Sequence, residues 1–228
     1  MLYMRIVAHS AAREDADLTA RARIRDVAIR CFAEEGFDAS VRRIAQKADV
    51  SPGLITHHFG SKAGLRAECD DEVLRRYSEV ENDAIDQPAG SIGHLLASPG
   101  ANAEVLVYML RAVHAGGPAA HDFLERLIDN ARGVMARAVT AGMVRPSRDE
   151  EARLRYLAYQ ATGAMLVQFI TMPGATPDEF VASLQAAGQD QILPTLELYT
   201  EGLLTDGTLL EQYLTHAESP EGGTTHDR

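Results

Sequence analysis

The chain has 228 residues, 46% hydrophobic and 24% charged, an ordinary globular balance with enough length to bury a core in one or two domains. No run of eighteen or more apolar residues is present, which excludes a membrane-spanning helix. The first twenty residues lack a sustained apolar core and carry Glu14, Asp15 and Asp17, which argues against a signal peptide. A net charge of −11 speaks at first against nucleic acid, but the charge is unevenly spread. Residues 1–65 hold ten Lys+Arg against eight Asp+Glu, a balance of +2, whereas the remainder holds twelve against twenty-five, −13. Screening over roughly 8 Å at physiological salt keeps the acidic part from cancelling a basic surface elsewhere. Cys31 and Cys69 fall on apolar helix faces with no metal-ligand spacing, so reduced, buried thiols are expected.

Taken in chain order, residues 1–18 read as a flexible arm. Thr19 can cap a first helix running to Glu35, with Ile24, Val27, Ala28, Cys31 and Phe32 on one buried face and Gly36 as the stop. Arg21, Arg23 and Arg25 either reach a phosphate or form a solvated face. The stretch SVRRIAQKADVSPGLITHHFGSKAGL, residues 40–65, gives two short helices at a sharp angle. Ser40 caps the first, which buries Val41, Ile44 and Ala45. Ser51 caps the second with Pro52 at its first position, and Leu54, Ile55 and Phe59 point inward. Asp49 in the tight turn tolerates a left-handed backbone. This is the helix-turn-helix arrangement, in which the second helix enters a DNA major groove.

Further helices are expected from Ser61 to about Asp86, around Ile92–Ala97, over Ala103–Ala115, about Ala119–Ala141, Asp149–Thr171, Thr176–Ala187 and about Gln191–Leu204, the last kinked by Pro194. The sequences Ser147–Glu150 and Thr176–Glu179 are capping boxes. Leu209–Leu214 adds a turn, and the polar, Gly-rich tail from 216 to 228 is expected to be disordered. No strand-like alternation and no internal repeat occur. The fold class is therefore all-α: a three-helix head over 19–66, joined by a long helix to a larger helical body over 67–215.

Phe32, Gly36, Phe37, Ile44-Ala45, Val50-Ser51 and His58-Phe59-Gly60-Ser61-Lys62 with Leu65 stand at fixed spacings. Over roughly residues 19–66 the chain thereby resembles the DNA-binding domain of the TetR family of bacterial transcriptional regulators. It departs from the family pattern at Asp49, where Gly is usual, and at Thr56, where a DNA-touching Tyr is usual. Ser51, Pro52, Gly53, Thr56 and His57 occupy the turns that would face base edges; Arg42 suits a guanine O6/N7 contact, and Lys62 a phosphate. The resemblance implies DNA contacts at Val41, Arg42, Pro52, Gly53, Thr56, His57 and Lys62. His58 and Phe59 are better suited to the head's core, and a metal at His57-His58 is not expected, because adjacent helical residues diverge.

The resemblance also implies a homodimer on a palindromic operator and a small-molecule effector pocket in the body. The helix over 149–171 is apolar around most of its circumference, with Ala158, Ala161, Gly163 and Ala164 interspersed, which suits close approach of a partner helix. Residues 192–199 are similar. Tyr77, Tyr108, Met109, His114, Phe123, Met135, Tyr156, Gln160 and Phe169 are the pocket candidates, since a few polar groups on apolar helices can orient an apolar ligand. Each also fits a plain core position. The implied function is a cytoplasmic, ligand-responsive repressor that needs no cofactor. The rivals are a DNA-binding protein whose body binds a partner protein or nothing, and, more remotely, an all-helical enzyme. Against the latter, none of H-E-x-x-H, C-x-x-C, G-x-S-x-G, a Walker-type loop or a dinucleotide fingerprint is present.

Overall fold

A computed structural model of the protein describes residues 2–86 and 103–217. Every regular element among the described residues is a helix: α1 (Leu2–Glu35), α2 (Val41–Ala48), α3 (Pro52–Phe59), α4 (Lys62–Asp86), α5 (Ala103–His114), α6 (Gly117–Thr140), α7 (Glu150–Thr171), α8 (Pro177–Thr200) and α9 (Thr208–Ala217). No helix among the described residues is long and apolar enough to cross a membrane. The expected helix at 92–97 and the tail beyond residue 217 lie outside the described residues.

Four boundaries differ from the sequence reading, each for a local reason. α1 begins at Leu2 and not at Thr19, because nothing between them breaks a helix: the segment holds neither Gly nor Pro. The N-cap of α7 is Asp149, whose carboxylate accepts from the Ala152 N–H, while Ser147 receives Glu150 on its own N–H at 2.7 Å. The two expected C-terminal helices are one, α8, since a lone Gly188 costs about 1 kcal/mol but does not stop a helix. Pro194 sits inside α8, where it cannot donate to the helix ladder. The turn at 209–214 is a full helix, α9.

The chain divides into two compact units, residues 1–184 and 185–228. In the first, one hydrophobic core runs without interruption from the head into the body. Ile24, Ala28, Cys31 and Phe32 of α1 meet Ile44, Ala45 and Ala48 of α2, Ile55 and Phe59 of α3, and Leu65, Cys69 and Val73 of α4. The same cluster continues through α5 to Phe123, Phe180 and Val181. Each fully buried large side chain here contributes roughly 1.5–3 kcal/mol. Both cysteines are free and buried, and burial pushes the Cys69 thiol well above its ordinary value, so both pack as small hydrophobes.

Polar contacts fix α1 to α4 alongside that core. Arg21 pairs with Glu68 at 2.8 Å, and Glu72, only 6% exposed, receives Arg25 at 3.3 Å, Arg75 at 2.8 Å and Arg76 at 2.7 Å. Arg76 also reaches Asp26 on α1. A carboxylate this buried is tolerated because several guanidinium groups surround it. Hydrogen bonds from Arg75, then from Arg76, with the charge of Arg25 nearby, hold Glu72 down to about 2. The carboxyl is thus bound as the anion in the folded chain and has its ordinary value, near 4.5, when unfolded. Its stabilisation is present above about pH 5 and is lost as pH falls toward 2. Glu72→Gln is expected to cost on the order of 2–3 kcal/mol at pH 7, with the difference from wild type shrinking between pH 5 and 2. Urea denaturation across that range measures it; a difference independent of pH would refute the assignment.

Candidate nucleic-acid interface and apolar cavity

Local chemistry builds the helix-turn-helix. The Ser40 hydroxyl accepts from the Arg43 N–H at 3.1 Å, and Ser51 accepts from the Leu54 N–H at 3.2 Å, so both helices open on side-chain caps. Asp49 ends α2 at φ 53 and ψ 51, the one non-glycine residue with positive φ among those described. Its N–H returns to the carbonyls of Ala45 and Gln46, and Val50 N–H returns to Ala45 at 3.0 Å. Gly60 closes α3 at φ 72, a backbone that L side chains rarely adopt. Ser61 then accepts from the Gly64 N–H at 3.0 Å and starts α4.

This leaves a defined set of side chains on the outside. Arg42, Ser51, Pro52, Gly53, Thr56 and His57 are exposed, and Lys62 is half-buried. Val41 is partly buried and packs against the head core, so it presents less surface than its neighbours. The Thr56 hydroxyl donates back to the Pro52 carbonyl at 3.3 Å. His57 stands edge-on to His58, centroids 5.5 Å apart, and no group of three or more His, Cys, Asp or Glu residues suited to a metal occurs among the described residues.

The cations of the head divide into two groups. Arg43 binds Glu35 at 3.1 Å, and Lys47 binds Glu34 at 2.7 Å and Glu35 at 3.0 Å. These pairs tie α2 to the end of α1; the Lys47 hydrogen bond holds Glu35 below its ordinary value, and Glu34 and Glu35 raise Lys47. Arg21 and Arg25 are likewise engaged by carboxylates. Arg42, Lys62 and Arg23 form no ion pair among the described residues, and Arg23 thus stands apart from Arg21 and Arg25.

Within the same unit, a cavity of about 210 Å³ lies between α4, α5, α6 and α7. Tyr77 lines it from α4, Leu106, Met109, Leu110 and Val113 from α5, and Leu127, Ala131, Val134 and Met135 from α6. Leu154, Leu157, Ala158, Ala161, Thr162 and Met165 of α7 complete the wall. Tyr77 and Thr162 supply its polar groups, and no lining side chain is charged. The pairs Arg155–Glu125 at 2.6 Å and Arg132–Glu151 at 3.0 Å hold α6 to α7.

Of the nine pocket candidates, Tyr77, Met109 and Met135 line this cavity; the other six do not. Tyr108 is fully buried on the opposite side of α5, against Phe32 and Phe37 and hydrogen-bonded to Asp70 at 2.6 Å. Phe123 is a core residue. His114 is exposed with its ring 6.2 Å from Phe169, which packs edge-on to Phe180 at 5.6 Å under the Arg111 guanidinium. Tyr156 and Gln160 face outward on α7. Ala158 and Ala161, read in sequence as suited to a partner helix, line the cavity, and Ala161 is also exposed. The aliphatic lining from Leu106 to Met165 looks in sequence like any core, and only its shared emptiness marks it.

With that geometry in place, comparison with known proteins is specific. The family described as "Bacterial regulatory proteins, tetR family" matches residues 24–69, and "Tetracyclin repressor-like, C-terminal domain" matches residues 101–205. The HTH-type transcriptional regulatory protein RaaS of Mycobacterium tuberculosis is 39% identical over 208 residues, 90% of this chain and 97% of that protein. The HTH-type transcriptional repressor AcnR of Corynebacterium glutamicum is 37% identical over 86 residues, 36% of this chain and 46% of its own. Among solved structures, FadR from Bacillus subtilis in complex with stearoyl-CoA has TM-score 0.56 at 16% identity, covering 80% of this chain and 99% of that one. A transcriptional regulator from Pectobacterium atrosepticum has TM-score 0.53 at 21% identity, covering 86% and 97%. These two share the fold.

One position in the head had no signal beyond its residue type. A Cβ at Gly64 would stand 2.1 Å from the Phe59 carbonyl oxygen, so the end of α3 abuts the first turn of α4 only because that side chain is missing. Gly64→Ala is expected to destabilise the protein by about 1–3 kcal/mol, despite alanine's better helix propensity. Chemical denaturation measures this; a stabilised variant would mean that α3 and α4 are not held at this distance.

Proposed function

The chain belongs to the TetR family of bacterial transcriptional regulators, and on that footing we propose that it is a cytoplasmic repressor whose dimer binds a palindromic operator and releases it when a small, uncharged, largely apolar effector fills the cavity. The observation that carries the DNA reading is the division among the cations. Arg43 and Lys47 are neutralised by glutamates, whereas Arg42 and Lys62 remain uncommitted beside the exposed face of α3. Arg42 suits bidentate recognition of guanine, and Lys62, at the first turn of α4, suits a phosphate. Ser51, Pro52, Gly53, Thr56 and His57 supply the remaining surface toward the groove, Val41 flanks it, and Arg23 is a further candidate for a backbone phosphate.

Dimerisation is supported by apolar surface that a single chain leaves open. On α7, Tyr156 is 65% exposed and Val167 59%, with Tyr159 and Ile170 beside them on the face opposite the cavity. In the second unit, Leu193, Leu198 and Tyr199 of α8 are also exposed. Surfaces of this kind mark association sites, and a two-fold dimer would present two heads about 34–36 Å apart, one turn of DNA. The effector's class follows from the lining, in which Tyr77 and Thr162 can orient a ligand but nothing can neutralise a charge.

Selection of bound fragments from random duplex DNA tests the reading; a palindromic consensus with half-sites one turn apart is expected. Arg42→Ala should lose preference at one half-site position by about 1–3 kcal/mol. Lys62→Ala should weaken binding nearly uniformly across sequences and flatten its salt dependence. An unchanged consensus with Arg42→Ala would remove the guanine contact, and absence of any consensus would remove the function.

A further inference from the structure

Three features of the cavity between α4, α5, α6 and α7 narrow what it can hold. The first is size. At about 210 Å³ it lies below the roughly 300–1,000 Å³ of sites for drug-sized molecules. A cavity of about 150 Å³ accommodates benzene, so by proportion this one takes about eight or nine non-hydrogen atoms. The second is sulfur. Met109 of α5, Met135 of α6 and Met165 of α7 bring one thioether from each of three walls, and Tyr77 of α4 supplies the single aromatic ring of the lining. A thioether sulfur is attracted to the edge of an aromatic ring, a preference that leucine and alanine do not share. The third is a hydroxyl. Thr140, Thr171, Thr200 and Thr215 each donate back to a carbonyl of their own helix at 2.6–2.9 Å. Thr162, half-buried on the α7 wall, makes no such bond among the described residues.

We propose that the effector is a compact neutral hydroxyarene, one aromatic ring bearing a short alkyl group and a hydroxyl, and not an alkyl chain or a saturated alcohol of the same size. The inference rests on the cavity being the effector site. The ring seats among the three sulfurs, and its hydroxyl donates to the Thr162 oxygen. An acyclic alcohol of equal size gives up the freedom of about seven rotatable bonds on entering, whereas the ring arrives rigid. A saturated ring is as rigid and no less apolar, so burial of apolar surface gives it no disadvantage. Only the sulfurs tell the two rings apart. A carboxylate in place of the hydroxyl would enter without a counter-charge, because no lining side chain is charged.

The test uses 4-ethylphenol, 4-ethylcyclohexanol and 1-octanol, neutral probes with the same number of non-hydrogen atoms. Isothermal titration calorimetry on the full chain measures their affinities, and fluorescence anisotropy follows release of an operator fragment selected by the wild-type protein. 4-Ethylphenol is expected to bind about fivefold or more tighter than either counterpart. In Met109→Leu/Met135→Leu/Met165→Leu, which conserves volume, its lead over 4-ethylcyclohexanol should fall below about twofold. If that variant does not melt cooperatively, the single substitutions replace it, each taking away part of the lead. Thr162→Val should weaken 4-ethylphenol about fivefold or more and leave ethylbenzene within about twofold, whereas a merely structural role would weaken both. Equal affinity for the three probes, a lead that survives loss of the sulfurs, or a phenol indifferent to Thr162→Val would overturn the inference. Operator binding indifferent to every probe but weakened by Ala131→Phe, which fills the cavity from its α6 wall, would also overturn it and leave the effector cavity standing. Indifference to Ala131→Phe as well, or to Ala131→Leu if the larger ring prevents folding, would remove the effector reading and the inference with it.

Discussion

Tyr108 is the constraint on which the head's orientation depends. Its ring occupies the space beside Phe32 and Phe37, and its buried hydroxyl donates to the Asp70 carboxylate at 2.6 Å, with the Arg66 carbonyl a second acceptor at 3.4 Å. Burial raises Asp70 above its ordinary value, while the Tyr108 hydrogen bond and the Arg66 and Arg126 charges pull the other way. Removing any member would leave a buried polar group short of a partner. A head that must present α3 at a fixed angle thus leans on the body through a contact that is both apolar and directional.

Charge does a different job in different places. Around Glu72 it joins α1 to α4, and at Glu34 and Glu35 it joins α1 to α2, so much of the head's positive charge is consumed in keeping its own helices together. Arg42 and Lys62, beside α3, are among the few cations left over. This economy reconciles a chain of net charge −11 with a nucleic-acid role, since the surface that meets DNA needs only a few uncommitted cations if a second copy doubles them.

The head was legible in the sequence because its determinants are local. Ser40, Ser51 and Pro52 start helices through groups within three residues, and Asp49 and Gly36 stop them through their own backbones. The α1 stripe from Ile24 to Phe32 is likewise a matter of period. The cavity was not legible in this way. Eight of the twelve residues of α5 are buried, so neither hydrophobicity nor period says which side meets empty space and which meets the head. Tyr108 and Met109 are adjacent, equally buried and oppositely employed. Ala158 and Ala161 illustrate the same loss, since small residues admit a neighbouring helix or leave room for a ligand with equal ease. The start of α1 and the fusion into α8 differ from the sequence reading because a polar stretch without Gly or Pro and a lone Gly188 both look like breaks in sequence, and neither stops a helix.

The scarcity of lysine has a chemical consequence. The sequence holds two, Lys47 and Lys62, against twenty arginines. Lys47 is clasped by Glu34 and Glu35, which raise its amine above the ordinary lysine value. Lys62, the other lysine, lies at the first turn of α4 and forms no ion pair among the described residues. The one lysine ammonium not held by a carboxylate among the described residues thus stands beside the groove-reading helices, where a single positive charge counts most.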